Sequence, residues 1–315
     1  MAERDLSRRG GWSFRPGLPV TEPLDVVMQL PVPAGDRPAE LHLVFTGDGL
    51  YVPAVIRKPV GNGPFPAVLC MHGGSGGMGV TWLADFMLNR GFVFERLLAE
   101  GYLVCWTEGR MEIEEAYGTD IEAALDHQDL INTFRYVQRL PYVDAERVAL
   151  FGVSHGGELQ MKLISELGGG PAALVPVEPA VIEYLGLRYE GPRTEANLRF
   201  NSGLTDDQID LERATERIER ISPSVPILVM GRDDDHLQGL FGKLHELLER
   251  AGKRAEWASW DHPEHAYQWG PLRTRKAVAY QGAVAEIDES YEVDGLQQDT
   301  LETLVAFLNR HVQRR

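Results

Sequence analysis

Three kinds of side chain that together can transfer an acyl group stand in order along the chain. Ser154 sits in "VALFGVSHGGELQMKL", residues 148–163, with Gly152 two positions before it and Gly156 and Gly157 just after. Three consecutive aspartates, Asp233, Asp234 and Asp235, follow the apolar run in "PILVMGRDDDHL", and "WASWDHPEHAYQWG" then brings His262 and His265. A serine hydroxyl is a weak nucleophile. It becomes a strong one when an imidazole takes its proton, a carboxylate orients that imidazole, and N–H donors receive the developing oxyanion. Only one of the three aspartates can face a histidine; the others cap the following helix or stay solvated.

The surroundings of Ser154 favour this chemistry. "GVSHG" fits Gly-x-Ser-x-Gly, and an apolar strand-like run precedes it while a helix-like run follows. The turn between them strains the backbone so that the hydroxyl projects from the end of a sheet, and side chains at Gly152 and Gly156 would collide there. Gly157 lets the helix approach closely. The rival reading of this turn is a glycine-rich strand-to-helix connection with an incidental serine, as in a nucleotide-binding fold, and that of "MHGGSGG" at 71–77 is a phosphate-cradling loop. No Gly-Lys-Ser/Thr follows, however, and the charge of the chain opposes phosphate. "MHGGSGG" is better read as a source of backbone N–H groups, so Gly74, together with the amide of His155, is the expected oxyanion pair.

The elements that must hold these residues are legible as well. Short apolar runs alternate with amphipathic segments from residue 65 onward, the pattern of a parallel sheet covered by helices. Strand candidates are "AVLCM", "YLVCW", "VALFG", "ALVPV", "PILVMG" and "AEWAS". "ELHLVF" and "YVPAVIRKP" flank the turn-like "TGDG" and predict an antiparallel hairpin at the N-terminal edge. Helical spacing appears at Ile121, Leu125, Ile131, Phe134 and Val137, at Leu211, Ala214, Ile218 and Ile221, and at Leu301, Leu304, Val305, Leu308 and Val312. The expected fold is α/β: one domain over 1–315 with a mostly parallel sheet flanked by helices. The Arg- and Glu-rich stretch 182–224 is read as a small lid-like insertion.

With these residues in place, the chain resembles an α/β-hydrolase of the branch holding the prolyl oligopeptidase-like and dienelactone hydrolase-like enzymes. The likeness spans about 41 to 312 and is most specific in "LPYVDAERVALFGVSHGG". It implies a catalytic triad in the order Ser, Asp, His. A Gly-x-x-Asp-x-x-apolar pattern maps onto Gly231, Asp234 and Leu237, which makes Asp234 the implied acid ahead of Asp233 and Asp235. "HAY" makes His265, rather than His262, the implied base. Glu178, after "ALVPV", is an alternative acid. Glu108 and Arg110 follow another strand and read as a structural ion pair. Trp82, Phe86, Met87, Phe92 and Phe94 read as helix core, with Trp82 and Phe86 the two that would line an acyl or aromatic pocket.

The resemblance implies a serine hydrolase acting on a small or medium ester or lactone, without cofactor. Peptidases of that branch generally carry a large β-propeller ahead of the hydrolase domain, and about 65 residues precede "PAVLC" here, so short peptides rank second. A non-catalytic binding protein on the same scaffold would have lost a triad position. Neither "DDDH" nor "HPEH" has the spacing of a helical metal site, so no metal is expected. The 31 basic against 47 acidic side chains give a formal charge of −16, which argues against nucleic acid and anionic membranes as partners. Basic residues near the start have no apolar stretch behind them, so no secretory signal is expected; no run reads as long and apolar enough to span a bilayer, and Cys70 and Cys105 sit in apolar runs as expected for buried free thiols. A cytoplasmic location is the expectation.

Overall fold

The computed structural model describes residues 26–30, 39–47, 50–73, 92–109, 120–187, 203–263, 265–266, 268, 277–280, 283–286 and 295–313. Nine strands form one sheet. They are β1 (Val26–Leu30), β2 (Ala39–Phe45), β3 (Tyr51–Arg57), β4 (Phe65–Met71), β5 (Leu103–Thr107), β6 (Val143–Val153), β7 (Leu174–Val177), β8 (Ile227–Arg232) and β9 (Ala255–Trp260). Their order across the sheet is β1-β2-β3-β5-β4-β6-β7-β8-β9. All pairings from β5 through β9 are parallel, and β1, β2 and β3 join antiparallel at one edge. The six runs read as strands are β4 to β9, and the edge hairpin is β2–β3 with Phe45 opposite Tyr51.

Both faces of the sheet are covered, and this explains why the central strands read as continuous apolar runs. Along β4, Ala67, Leu69 and Met71 face one cluster while Val68 and Cys70 face the other. The first cluster lies under α2 (Asp120–Arg139), α3 (His155–Leu167), α4 (Leu211–Arg220) and α5 (Gln238–Arg250). The second lies under α1 (Phe92–Ala99) and α6 (Gly295–Leu308), the latter followed by a π-helical turn at Asn309–Gln313. Each fully buried Leu, Val or Phe here stabilises the fold by about 1.5–3 kcal/mol. Cys70 and Cys105 are buried and unpaired; they belong to opposite faces, and burial pushes both thiols up from their ordinary pKa.

Two features add to the sequence reading. The edge gains β1, and a separate hairpin joins β10 (Ala277–Tyr280) to β11 (Ala283–Glu286), with Tyr280 opposite Ala283. Within 182–224, residues 188–202 lie outside the described residues. On either side of them, Tyr184, Leu185, Ile209, Ala214 and Ile218 are buried in the first cluster. Arg217 clamps this segment by donating to the carbonyls of Glu183 and Tyr184. Phe94 is buried against Trp106, ring centroids 4.8 Å apart, as helix core. No helix among the described residues is long and apolar enough to cross a membrane.

Candidate active site

Ser154 closes β6 and immediately precedes α3, with φ 53° and ψ −119°. This left-handed backbone is strained for a residue with a side chain, and neighbouring hydrogen bonds hold it. The Ser154 N–H donates to the Val177 carbonyl (2.9 Å), and its own carbonyl accepts from Gly157 (3.0 Å) and Ala180 (2.9 Å). The glycine requirement is steric at Gly156, where a Cβ would lie 2.4 Å from the His72 carbonyl oxygen and 2.6 Å from that of Met71. Both are backbone atoms at the end of β4 and cannot swing aside. Gly156→Ala is therefore expected to destabilise the protein by about 2 kcal/mol or more, measured by urea unfolding. A loss under about 0.5 kcal/mol would show that the elbow has slack.

The loop after β4 arrives directly at Ser154. A Cβ on Gly73 would sit 2.4 Å from Ser154 Cβ and 3.2 Å from its Oγ, so only glycine leaves room there. Gly74 lies outside the described residues, as do Trp82, Phe86, Met87 and Arg110. Glu108 is buried at the end of β5. His155, the first residue of α3, presents its amide at the helix N-terminus, where the peptide dipoles favour negative charge.

Neighbouring strand ends deliver the remaining groups. Val153 pairs with Val177 and Val177 with Met230, so the residues after β6, β7 and β8 emerge side by side, adjacent strands being about 4.8 Å apart. After β7 comes Glu178, fully buried, and after β8 come the three aspartates. His265, 27% exposed, reaches both groups: its Nδ1 is 2.9 Å from Asp235 Oδ2 and 2.8 Å from Glu178 Oε2. Only the Asp235 contact has the angles of a hydrogen bond. Strain gathers at the same place. The four non-glycine residues with left-handed φ among the described residues are Ser154, Glu178, Asp234 and Ala266.

Asp234, the acid implied by the spacing, is not the one at the histidine. Its φ of 57° turns the chain, so Asp234 is exposed and the next residue, Asp235, faces inward. Asp233 is exposed too and accepts from the Ser259 hydroxyl. Asp235 is fully buried. Its Oδ1 accepts from the Leu237 N–H (2.8 Å) and its Oδ2 from Arg232 Nε (3.0 Å) as well as from His265. Arg232, which the sequence reading passed over, also donates to the carbonyl of His262 (2.9 Å) and so ties the histidine loop to the acid. His262 itself is buried beside the site.

Charge follows from these contacts. Burial raises the Asp235 carboxyl, but hydrogen bonds from His236 and His265 and the Leu237 amide outweigh it, holding the group ionised far below the usual carboxylate range. Burial likewise disfavours the His265 cation, and the two carboxylates overcome that, raising its pKa to about 9. Among the described residues, Asp235, His236 and His265 place three ligand atoms within 4.8 Å of one another, close enough to hold a metal ion. His265 Nδ1 is already engaged with Asp235, so an ion bound through that nitrogen would displace this bond.

No family model matches the chain. Among curated proteins, a probable dipeptidyl-aminopeptidase B of Sclerotinia sclerotiorum is 28% identical over 228 residues, which cover 67% of this chain and 23% of that protein. The chain thus matches less than a quarter of that relative's length. Among solved structures, a putative dienelactone hydrolase from Klebsiella pneumoniae superposes with TM-score 0.54 at 14% identity, covering 91% of this chain and 100% of the other. A hyperthermophilic esterase from Pyrobaculum calidifontis gives 0.57 at 17% identity, covering 92% and 87%. Sheet order, strained serine elbow and these likenesses agree: the chain has the α/β-hydrolase fold, and its resemblance runs to the branch of dienelactone hydrolases, esterases and dipeptidyl peptidases.

Proposed function

We propose that the chain is a serine hydrolase that cleaves carboxylic esters through an acyl-enzyme on Ser154. One observation carries the reading: a strained serine at the end of β6, beside strand ends whose buried carboxylates hold an imidazole by its Nδ1. With Nδ1–H committed to Asp235, Nε2 is left as the basic nitrogen.

In the proposed sequence, Ser154 Oγ attacks the ester carbonyl as its proton passes to His265 Nε2. The carbonyl π electrons move to oxygen, and the amides of His155 and Gly74 receive the oxyanion. Collapse re-forms the carbonyl and breaks the bond to the alcohol oxygen, which takes the proton from His265. Water, deprotonated by the same nitrogen, then adds to the acyl-enzyme and releases the carboxylic acid with Ser154 restored. Asp235 stays ionised throughout and stabilises the imidazolium.

A second reading, cleavage of short peptides by the same steps, is favoured by the sequence likeness to a dipeptidyl-aminopeptidase. The ester reading draws on the two solved structures named above, whose likeness runs over nine-tenths of the chain. Turnover of short-chain acyl nitrophenyl esters and of aminoacyl nitroanilides decides between them. The ester proposal expects kcat/KM at least about a hundredfold higher for the esters after correction for their intrinsic reactivity. A corrected preference for the anilides would establish the peptidase.

A further inference from the structure

Glu178 plays no part in the three-residue mechanism, yet it is fully buried, held at φ 43° and aimed at the same imidazole nitrogen as Asp235. Each of its oxygens is engaged. Oε2 lies 2.8 Å from His265 Nδ1 and accepts from the Ala266 N–H (2.7 Å), while Oε1 accepts from Gln268 Nε2 (2.7 Å). Its own backbone N–H is fixed to the Met230 carbonyl (2.8 Å), so β8 sets its height at the sheet edge. A carboxylate that only filled space under a loop would not require a strained backbone and a charged contact with the histidine.

Resting on the serine-hydrolase reading above, we propose that Glu178 is a second, positioning carboxylate of the site. Asp235 takes the Nδ1 hydrogen bond and sets the tautomer. Glu178 places a further negative charge against the imidazolium and holds the segment that carries His265 through the Ala266 N–H and the Gln268 side-chain amide. Among the described residues, the charged and titratable groups around His265 are Glu178 from the end of β7 and, from the segment at the end of β8, Asp235, Arg232 and His236. The His236 ring meets that of His265 edge-on at 4.7 Å, and Arg232 reaches Asp235 rather than the imidazole. Two carboxylates against one guanidinium leave the imidazolium in a net negative setting, in line with the raised pKa of His265.

The reaction needs neutral His265, so kcat/KM should rise with pH along a limb set by that group, well above the ordinary histidine value. In Glu178→Gln, where the amide oxygen still accepts from Ala266, this limb is expected to move down by about one pH unit or more, with plateau kcat reduced about tenfold. Because a buried Gln can upset folding, Asp235→Asn provides a second measurement. Glu178 remains opposite Nδ1 there, so the residual activity should keep its limb above 6.5. A limb that coincides with wild type in Glu178→Gln, or that drops to the ordinary value or below in Asp235→Asn, overturns the proposal. Fluorophosphonate labelling of the same preparations separates the two ideas. Labelled Ser154 with an unmoved limb refutes only the role of Glu178, whereas absence of labelling in wild type refutes the serine-hydrolase reading itself.

Discussion

Asp235→Asn is expected to lower kcat/KM for a short-chain nitrophenyl ester by about a thousandfold, while Asp234→Asn stays within about threefold of wild type. The difference follows from what each side chain touches. Asp235 Oδ1 receives the Leu237 amide, so the Asn side chain keeps its oxygen there and turns its NH2 toward Arg232 and His265. A donor now faces a donor, and the imidazole is driven to the tautomer with hydrogen on Nε2. In that form it cannot accept the serine proton. The loss stops short of the ten-thousandfold typical of a lone triad aspartate because Glu178 still stands at Nδ1. Asp234 makes its backbone contact through N–H to Gln238 Oε1, which the substitution leaves intact. Equal losses in the two variants would show that the acid has been misassigned.

Ser154→Ala should have the largest effect of any single change, a fall in kcat of about 10⁴-fold or more, with a melting temperature within a few degrees of wild type. Alanine keeps the Cβ that Gly73 accommodates, and the bonds that hold the elbow run through the backbone of residue 154 and survive. Loss of the hydroxyl leaves the oxyanion donors and binding contacts in place, so a small residual rate over water is expected. Activity retained at a tenth of wild type or more would place the nucleophile elsewhere.

The sheet was legible because burial on both faces writes itself as runs such as "PAVLCM" and "RVALFGV", whose shortness and flanking turn residues favour strands over buried helix segments. The elbow was legible because steric demand selects glycine at 152 and 156. The histidine was legible from its short motif, and the structure sets His265, rather than His262, against the carboxylates. What spacing could not reveal was which aspartate turns inward. That depends on a single dihedral, the φ of Asp234, and a left-handed residue moves the inward position by one. Glu178 was visible only as one acid at a strand end, since its partners Ala266 and Gln268 lie 88 and 90 residues away along the chain. The hairpin of β10 and β11 was passed over although "AVAY" and "AVAE" flank Gln281 and Gly282, a spacing that suits a tight turn.

The most direct measurement is labelling with a fluorophosphonate followed by peptide mapping of the adduct. The account predicts one adduct per chain on the peptide containing Ser154. Labelling should be absent in Ser154→Ala and strongly slowed in His265→Ala. Wild-type protein that takes no label, or a Ser154→Ala variant labelled as fast as wild type, would contradict it.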